Sequence, residues 1–141
     1  MLAGDASEAA LEVARANAAR LSLDVEFVHA DLLDGMGDEF DAIVANLPYV
    51  AERERATLAP EIVRHEPPQA LFAGEDGLQA IRALIAQLPE RKRIGAVALE
   101  VGAGQAGAVA GLLASAGFAG VECIADLAGM ERVVAGERPR R

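Results

Sequence analysis

The sequence is poor in the residues on which several classes of function depend. A single cysteine, Cys123, rules out an internal disulfide. With His29 and His65 far apart in the chain, it also forms no metal-ligand spacing, so no metal site is expected. There is no stripe of positive charge. The formal net charge is −9, and basic residues gather only at Arg91-Lys92-Arg93 and in the terminal Arg138, Arg140 and Arg141. A nucleic-acid partner normally demands a cationic footprint, so this balance counts against one. No apolar run is long enough to span a bilayer and no signal-like segment opens the chain, which makes the cytoplasm the expected location. Ser7, Ser22 and Ser115 stand in helical contexts without a G-x-S-x-G elbow, so nucleophilic catalysis has no support.

What is present is an apolar chain, 141 residues with 52% hydrophobic residues, enough for one domain with one core. Residues 1–137 are expected to form that domain and 138–141 a basic tail. A short strand-like stub ends at Asp5. Leu11, Ala14, Ala18 and Leu21 then follow helical spacing, with Asp5 or Ser7 available as the cap. Val25 to Val28 reads as a strand ending in His29-Ala30-Asp31, and Gly35-Met36-Gly37-Asp38 as a turn. Residues 40–45 form the next strand. The stretch 46–76 holds four of the six prolines and several charges, and reads as loop with one short helix. A helix over 77–88 presents Leu78, Ile81, Ile85 and Leu88 on one face. A buried-type strand at 96–101, a helix over 105–116 closed by Gly117, and strands at 121–125 and 132–135 complete the chain. The alternation predicts an α/β sheet, mostly parallel, with an antiparallel hairpin at its end.

Chemistry concentrates where strands end. Asn46-Leu47-Pro48-Tyr49 follows the strand 40–45. An amide oxygen, a backbone carbonyl restricted by the following proline and an aromatic face make a small preorganised polar corner there. Asp5 is either an acceptor for ribose hydroxyls or a helix cap, and Asp31 either an acceptor for an adenine amino group or a turn residue. Gly102-Ala103-Gly104-Gln105-Ala106-Gly107 spells G-x-G-x-x-G between a strand and a helix. A dinucleotide fingerprint is weighed there against a plain strand-to-helix turn. Against the fingerprint, the chain closes on a hairpin where a second βαβ unit should stand. Glu66-Pro67-Pro68 reads as a stiff loop.

Asn46-Leu47-Pro48-Tyr49 resembles the N-P-P-Y signature of methyltransferases that modify planar amide or amino nitrogens. The flanking text narrows the likeness to the HemK/PrmC family, protein-(glutamine-N5) methyltransferases of peptide chain release factors. That text comprises Asp5-Ala6-Ser7 with Asn17, Glu66-Pro67 with Ala70-Leu71, Gly74 with Asp76-Gly77-Leu78, Leu99-Glu100-Val101-Gly102 with Gln105, and Asp126-Leu127-Ala128-Gly129 with Arg132-Val133-Val134. The resemblance implies a Rossmann-like fold that uses S-adenosylmethionine. By it, Asp5 would hold the ribose, and Asp31 and Leu32 would border the adenine. The Asn46 side-chain oxygen and the Leu47 carbonyl would accept both N–H bonds of a substrate glutamine, with Pro48 stiffening the turn and Tyr49 walling the pocket. Such a grip aims a weakly nucleophilic amide nitrogen by orientation and preorganised acceptors rather than by a strong base. The resemblance also demotes Gly102–Gly107 to a later turn.

Two departures from the family pattern matter. Leu47 replaces the first proline of the signature, adding an N–H that needs a partner and loosening φ. The family's helical substrate domain, first strand and glycine-rich cofactor loop would all precede Asp5. That strand would lie between those ending at Asp5 and at Asn46, so its absence predicts open edges on both and impaired cofactor binding. Competing expectations are a DNA or RNA amino-methyltransferase, a ribosomal-protein glutamine methyltransferase and a non-catalytic, partner-binding remnant.

Overall fold

A computed structural model of the chain describes residues 1–37 and 40–139. It divides into two compact units, residues 1–39 and 40–141, where the sequence alone indicated a single core. In the first unit, β1 (Leu2–Asp5) and β2 (Glu26–His29) pair in parallel, with Asp5 opposite His29. They are joined by α1 (Glu8–Leu21). Ser7 caps that helix by accepting from the Ala10 N–H at 3.3 Å, while Asp5 Oδ1 accepts from the Ser7 N–H at 2.8 Å and sets the turn before it. The helix buries Leu11 and Ala18 as its spacing predicts, but Leu21, its last residue, stands exposed. His29 Nε2 donates to the Ala6 carbonyl at 2.8 Å, so it is a strand-end histidine that ties the start of α1 to β2.

The second unit carries a four-stranded sheet in the order β3-β4-β6-β5, formed by β3 (Ala42–Ala45), β4 (Ala96–Glu100), β5 (Ala119–Ala125) and β6 (Glu131–Glu137). β3 and β4 are parallel; β6 runs antiparallel to both β4 and β5. The expected α/β pairing and terminal hairpin are present, but two of the four described strand pairs are antiparallel, so the pairing is mixed rather than mostly parallel. It is distributed over two sheets, and β1 pairs only with β2 and β3 only with β4. Each therefore keeps one edge unpaired among the described residues.

The core of this unit lies between the sheet and two helices, which the sequence between β3 and β5 supplies. α2 (Pro60–His65) and α3 (Pro68–Leu71) are short and bury no residue, whereas α4 (Gln79–Gln87) and the apolar α5 (Ala106–Ser115) each bury one face. Ile81, Leu84, Ile85 and Leu88, with Val97, Leu99, Val101, Val109, Leu113, Phe118 and Val134, are all almost fully buried and make up that core. The apolar face expected for the helix over 77–88 is the buried one. The sheet's other face carries small or exposed residues, among them Ala42, Val44, Ala96 and Ala98. Among the described residues nothing covers Val44, which is 85% exposed.

Two stretches differ from the sequence reading. Residues 46–76 hold more helix than one short piece: a 3-10 segment Glu52–Thr57 precedes α2 and α3. Pro60 and Pro68 explain this, since each occupies the first helical turn, where a missing N–H costs nothing. Glu66-Pro67-Pro68 is thus the junction of two helices rather than a stiff loop. Arg138 is not tail-like. Its N–H donates to Gly95 O at 2.7 Å, and its guanidinium donates to the carbonyls of Leu88 and Arg91 at 2.7 and 2.8 Å while stacking 4.8 Å from the Phe118 ring. Those carbonyls end a helical segment, where a cation is favoured. Arg140 and Arg141, and the Asp38 end of the expected turn, lie outside the described residues.

Candidate functional site

The expected site residues fall in both units. In the first unit, Asp5 and Asp31 leave the same end of adjacent parallel strands, since the Ala30 N–H donates to Asp5 O at 3.1 Å. Both carboxylates are exposed. Asp5 is cap-like through Oδ1 only; no described residue donates to Oδ2. The turn Asp31–Asp34 closes with a 3.0 Å bond from the Asp34 N–H to Asp31 O. Within it Leu32 has φ +55, a left-handed conformation that a leucine seldom adopts and that costs about 1–2 kcal/mol. Buried Leu33 follows immediately, and its place in the core holds the strained Leu32 out at the strand end.

In the second unit, Asn46 follows β3 directly. Its side chain is exposed and accepts from no described residue, and the Leu47 carbonyl likewise receives no hydrogen bond among them. Two neutral acceptors thus stand open on consecutive residues. The Leu47 N–H, expected to need a partner, finds no acceptor among the described residues.

From Tyr49 onward the chain is tightly held. The Tyr49 hydroxyl donates to Glu100 Oε1 at 3.2 Å, a bond from the exit of β3 to the end of neighbouring β4. Burial, and then this bond, push the phenol pKa above its ordinary value. The Tyr49 carbonyl accepts from Gln105 Nε2 at 2.9 Å, and Gln105 Oε1 accepts from the Gly102 N–H at 2.8 Å. Val50 pairs with Phe72 through bonds to Leu71 O and from the Ala73 N–H, and Arg55 stacks 4.0 Å from the Phe72 ring. The long stretch after the corner is therefore a strap fastened at both ends rather than free loop.

Gly77 is what allows this closeness. It has φ +77, and a Cβ there would collide with the Tyr49 carbonyl oxygen and lie 2.8 Å from Gln105 Nε2. The turn that presents Gly77 is set by Asp76, whose carboxylate accepts from the Leu78 N–H at 3.1 Å and takes Arg82 at 3.0 and 2.6 Å. Arg82, then the Leu78 N–H, hold the Asp76 carboxyl down to about 2 from its ordinary 3.8. A folded pKa below the unfolded one means the contribution is fully present above pH 3.8 and is lost as pH falls through about 2. Arg82→Gln is accordingly expected to move the Asp76 titration, followed by carboxyl NMR, up toward the ordinary carboxylate range. A midpoint that stays near 2 in the variant would show that Arg82 is not its cause.

The glycine-rich run 102–107 is a strand-to-helix turn. Its Gly102 N–H is already occupied by Gln105 rather than offered to a phosphate, and Gly104 supplies the left-handed turn with φ +77. The sequence places Gly77, Glu100 and Gln105 in a helix start, a strand and a glycine-rich turn, with no sign that all three meet Tyr49. Their contacts to Tyr49 span 28 to 56 positions, beyond any local pattern. No group of His, Cys, Asp and Glu suited to a metal occurs among the described residues, and no described helix is long and apolar enough to cross a membrane.

Comparison with known proteins bears on the family of the chain. The family model described as "Methyltransferase small domain" matches residues 1–75. Release factor glutamine methyltransferases are similar over nearly the whole chain. Those of Cereibacter sphaeroides and Deinococcus radiodurans are 43% and 44% identical over 98% and 96% of it, and that of Bacillus anthracis is 40% identical over 94%. The chain spans about half the length of these relatives, 49 to 51%. Among solved structures, a release factor-specific protein-(glutamine-N5) methyltransferase from Alicyclobacillus acidocaldarius superposes with TM-score 0.51 at 28% identity, over 99% of this chain and 78% of that one. The hMettl16 catalytic domain, solved with the MAT2A 3'UTR hairpin 6, reaches TM-score 0.70 at 18% identity over 99% of this chain and 55% of that one, a likeness of fold. The fold is the Rossmann-like one of methyltransferases, and the chain belongs to the methyltransferase small domain family.

Proposed function

We propose that this chain carries the acceptor-holding part of an enzyme that methylates N5 of a glutamine side chain in a peptide chain release factor. The observation that supports this most directly is the pair of open neutral acceptors at Asn46 and Leu47. It occurs in a sequence 40 to 44% identical to release factor glutamine methyltransferases. In this reading the Asn46 oxygen and the Leu47 carbonyl each accept one N–H of the substrate amide. Holding both hydrogens fixes the nitrogen's direction, and the acceptors stabilise the positive charge that develops on it. Tyr49, anchored through its hydroxyl to Glu100, walls the amide, and Pro48 limits the Leu47 backbone.

The cofactor in this reading is S-adenosylmethionine, which supplies an electrophilic methyl group. Residues of the first unit fit its nucleoside part. Asp5 keeps one carboxylate oxygen unoccupied for ribose hydroxyls, Asp31 offers an exposed acceptor for an adenine amino group, and the strained Leu32 presents an apolar side chain at the same strand end.

The deciding experiment incubates the 141-residue chain in excess with methyl-tritiated S-adenosylmethionine at millimolar concentration. A release factor containing Gly-Gly-Gln, a ribosomal protein and DNA are offered as separate acceptors. Label in the release factor, located on the glutamine by mass spectrometry, is the expected result. Label confined to DNA or to the ribosomal protein, or none anywhere, overturns the proposal. In calorimetry with the cofactor, Asp5→Asn is expected to weaken binding about tenfold, the loss of one charge-assisted hydrogen bond. Unchanged binding would remove Asp5 from the site.

A further inference from the structure

We infer that Gln105 is a positioning residue for the Asn46–Tyr49 corner, acting through the Tyr49 carbonyl; this rests on the function proposed above. Gln105 stands immediately before α5, yet its side chain makes no capping bond to that helix. Glutamine is also not among the residues favoured as caps. Both ends of its amide are spent elsewhere. Oε1 accepts from the Gly102 N–H at 2.8 Å, and Nε2 donates to the carbonyls of Tyr49 at 2.9 Å and Asp76 at 3.4 Å. One half-buried amide thereby joins the exit of β3, the Asp76–Gly77 turn and the turn after β4.

Room for that amide is provided by glycine on two sides. A Cβ at Gly77 would lie 2.8 Å from Nε2, and a Cβ at Gly102 would lie 2.9 Å from Oε1 and 3.2 Å from the Tyr49 ring. The side chain is thus matched both in its donor and acceptor ends and in its space. Its effect reaches the acceptors along a short, stiff path. Pro48 fixes its own φ, the residue before a proline is confined to the extended region, and the peptide planes are rigid. Few torsions remain between the Tyr49 carbonyl, which Gln105 holds, and the Leu47 carbonyl and Asn46 side chain, which face no partner among the described residues.

Q105E and Q105A separate this role from service to α5. Q105E keeps the acceptor for the Gly102 N–H but sets a second carboxylate oxygen against two carbonyl oxygens, whereas Q105A removes both bonds. If Gln105 served only the helix, Q105E would be neutral, because an acid is favourable at a helix N-terminus. For positioning, Q105E and Q105A should each lower the single-turnover methyl-transfer rate at saturating cofactor by about 10- to 100-fold, the scale of a misplaced reacting group. Cofactor affinity by calorimetry should not change, and Q105E should be the slower. In ¹⁵N NMR of the same chain, the Asn46 side-chain amide and the Val50 N–H should shift in both variants. Folded variants with wild-type rates, or with unmoved Asn46 and Val50 signals, overturn the inference. Failure of the wild-type chain to methylate anything overturns the proposed function instead, and the NMR shifts then still decide whether Gln105 holds the corner.

Discussion

Asn46→Ala is expected to reduce methyl transfer to a release factor by about 100-fold or more, the size typical of deleting one preorganised group that stabilises transition-state charge. The structure makes this a selective lesion. The Asn46 side chain is exposed and bonds to no described residue, so it contributes nothing to packing that alanine would forfeit. Stability should move by no more than about 0.5 kcal/mol, as for surface substitutions away from special features. The two halves of the prediction are measured together: label incorporated in a single turnover, and the urea midpoint of the same preparation. Asn46→Asp sharpens the reading. It preserves shape and the acceptor while adding a charge, so a rate nearer to wild type than to alanine would assign the effect to hydrogen bonding. Wild-type rates for Asn46→Ala would remove the Asn46 corner from the chemistry altogether, whatever the similarity in sequence.

That a corner so exposed can be rigid explains which parts of this protein were legible in its sequence. Periodicity identified the helix that buries a stripe: Ile81, Ile85 and Leu88, on α4 and just after it, lie in the core as their spacing predicts, whereas β4, expected to be buried throughout, buries only the alternate Val97 and Leu99. Turn chemistry identified the ends, with Ser7 capping α1 and Gly117 at φ +88 closing α5. Local signals reached Asn46 because the strand before it and the proline after it are neighbours in the chain. They could not reach Gln105, whose amide meets Tyr49 across 56 positions, nor Gly77, whose lack of a side chain matters only because a distant carbonyl lies against it. Nor did they show Arg138 as a helix-end cation, because its partners lie between Leu88 and Arg91. The left-handed Leu32 was invisible for another reason. Nothing in the residue type predicts a conformation it disfavours, and the strain is tolerated because Leu33 is anchored in the core.

Gly77→Ala is expected to destabilise the unit that contains it by about 2–4 kcal/mol, the sum of a disfavoured left-handed alanine and an overpacked contact. The comparison with Gly104→Ala isolates the second part. Both glycines have φ +77, so the conformational penalty is the same. A Cβ at Gly104 meets nothing within 4 Å, whereas one at Gly77 collides with the Tyr49 carbonyl oxygen and crowds Gln105 Nε2 and the Ala51 N–H. Gly104→Ala should therefore cost only about 1–2 kcal/mol. The chain contains a single tyrosine and no tryptophan, so tyrosine fluorescence during urea unfolding reports directly on Tyr49. Relief of the collision requires the Tyr49 carbonyl to move away from Gly77, which also strains its bond from Gln105. Loss of methyl transfer should consequently exceed the loss explained by unfolding in Gly77→Ala and match it in Gly104→Ala. Equal destabilisation by the two substitutions would mean that the close approach at Tyr49 is not what Gly77 provides.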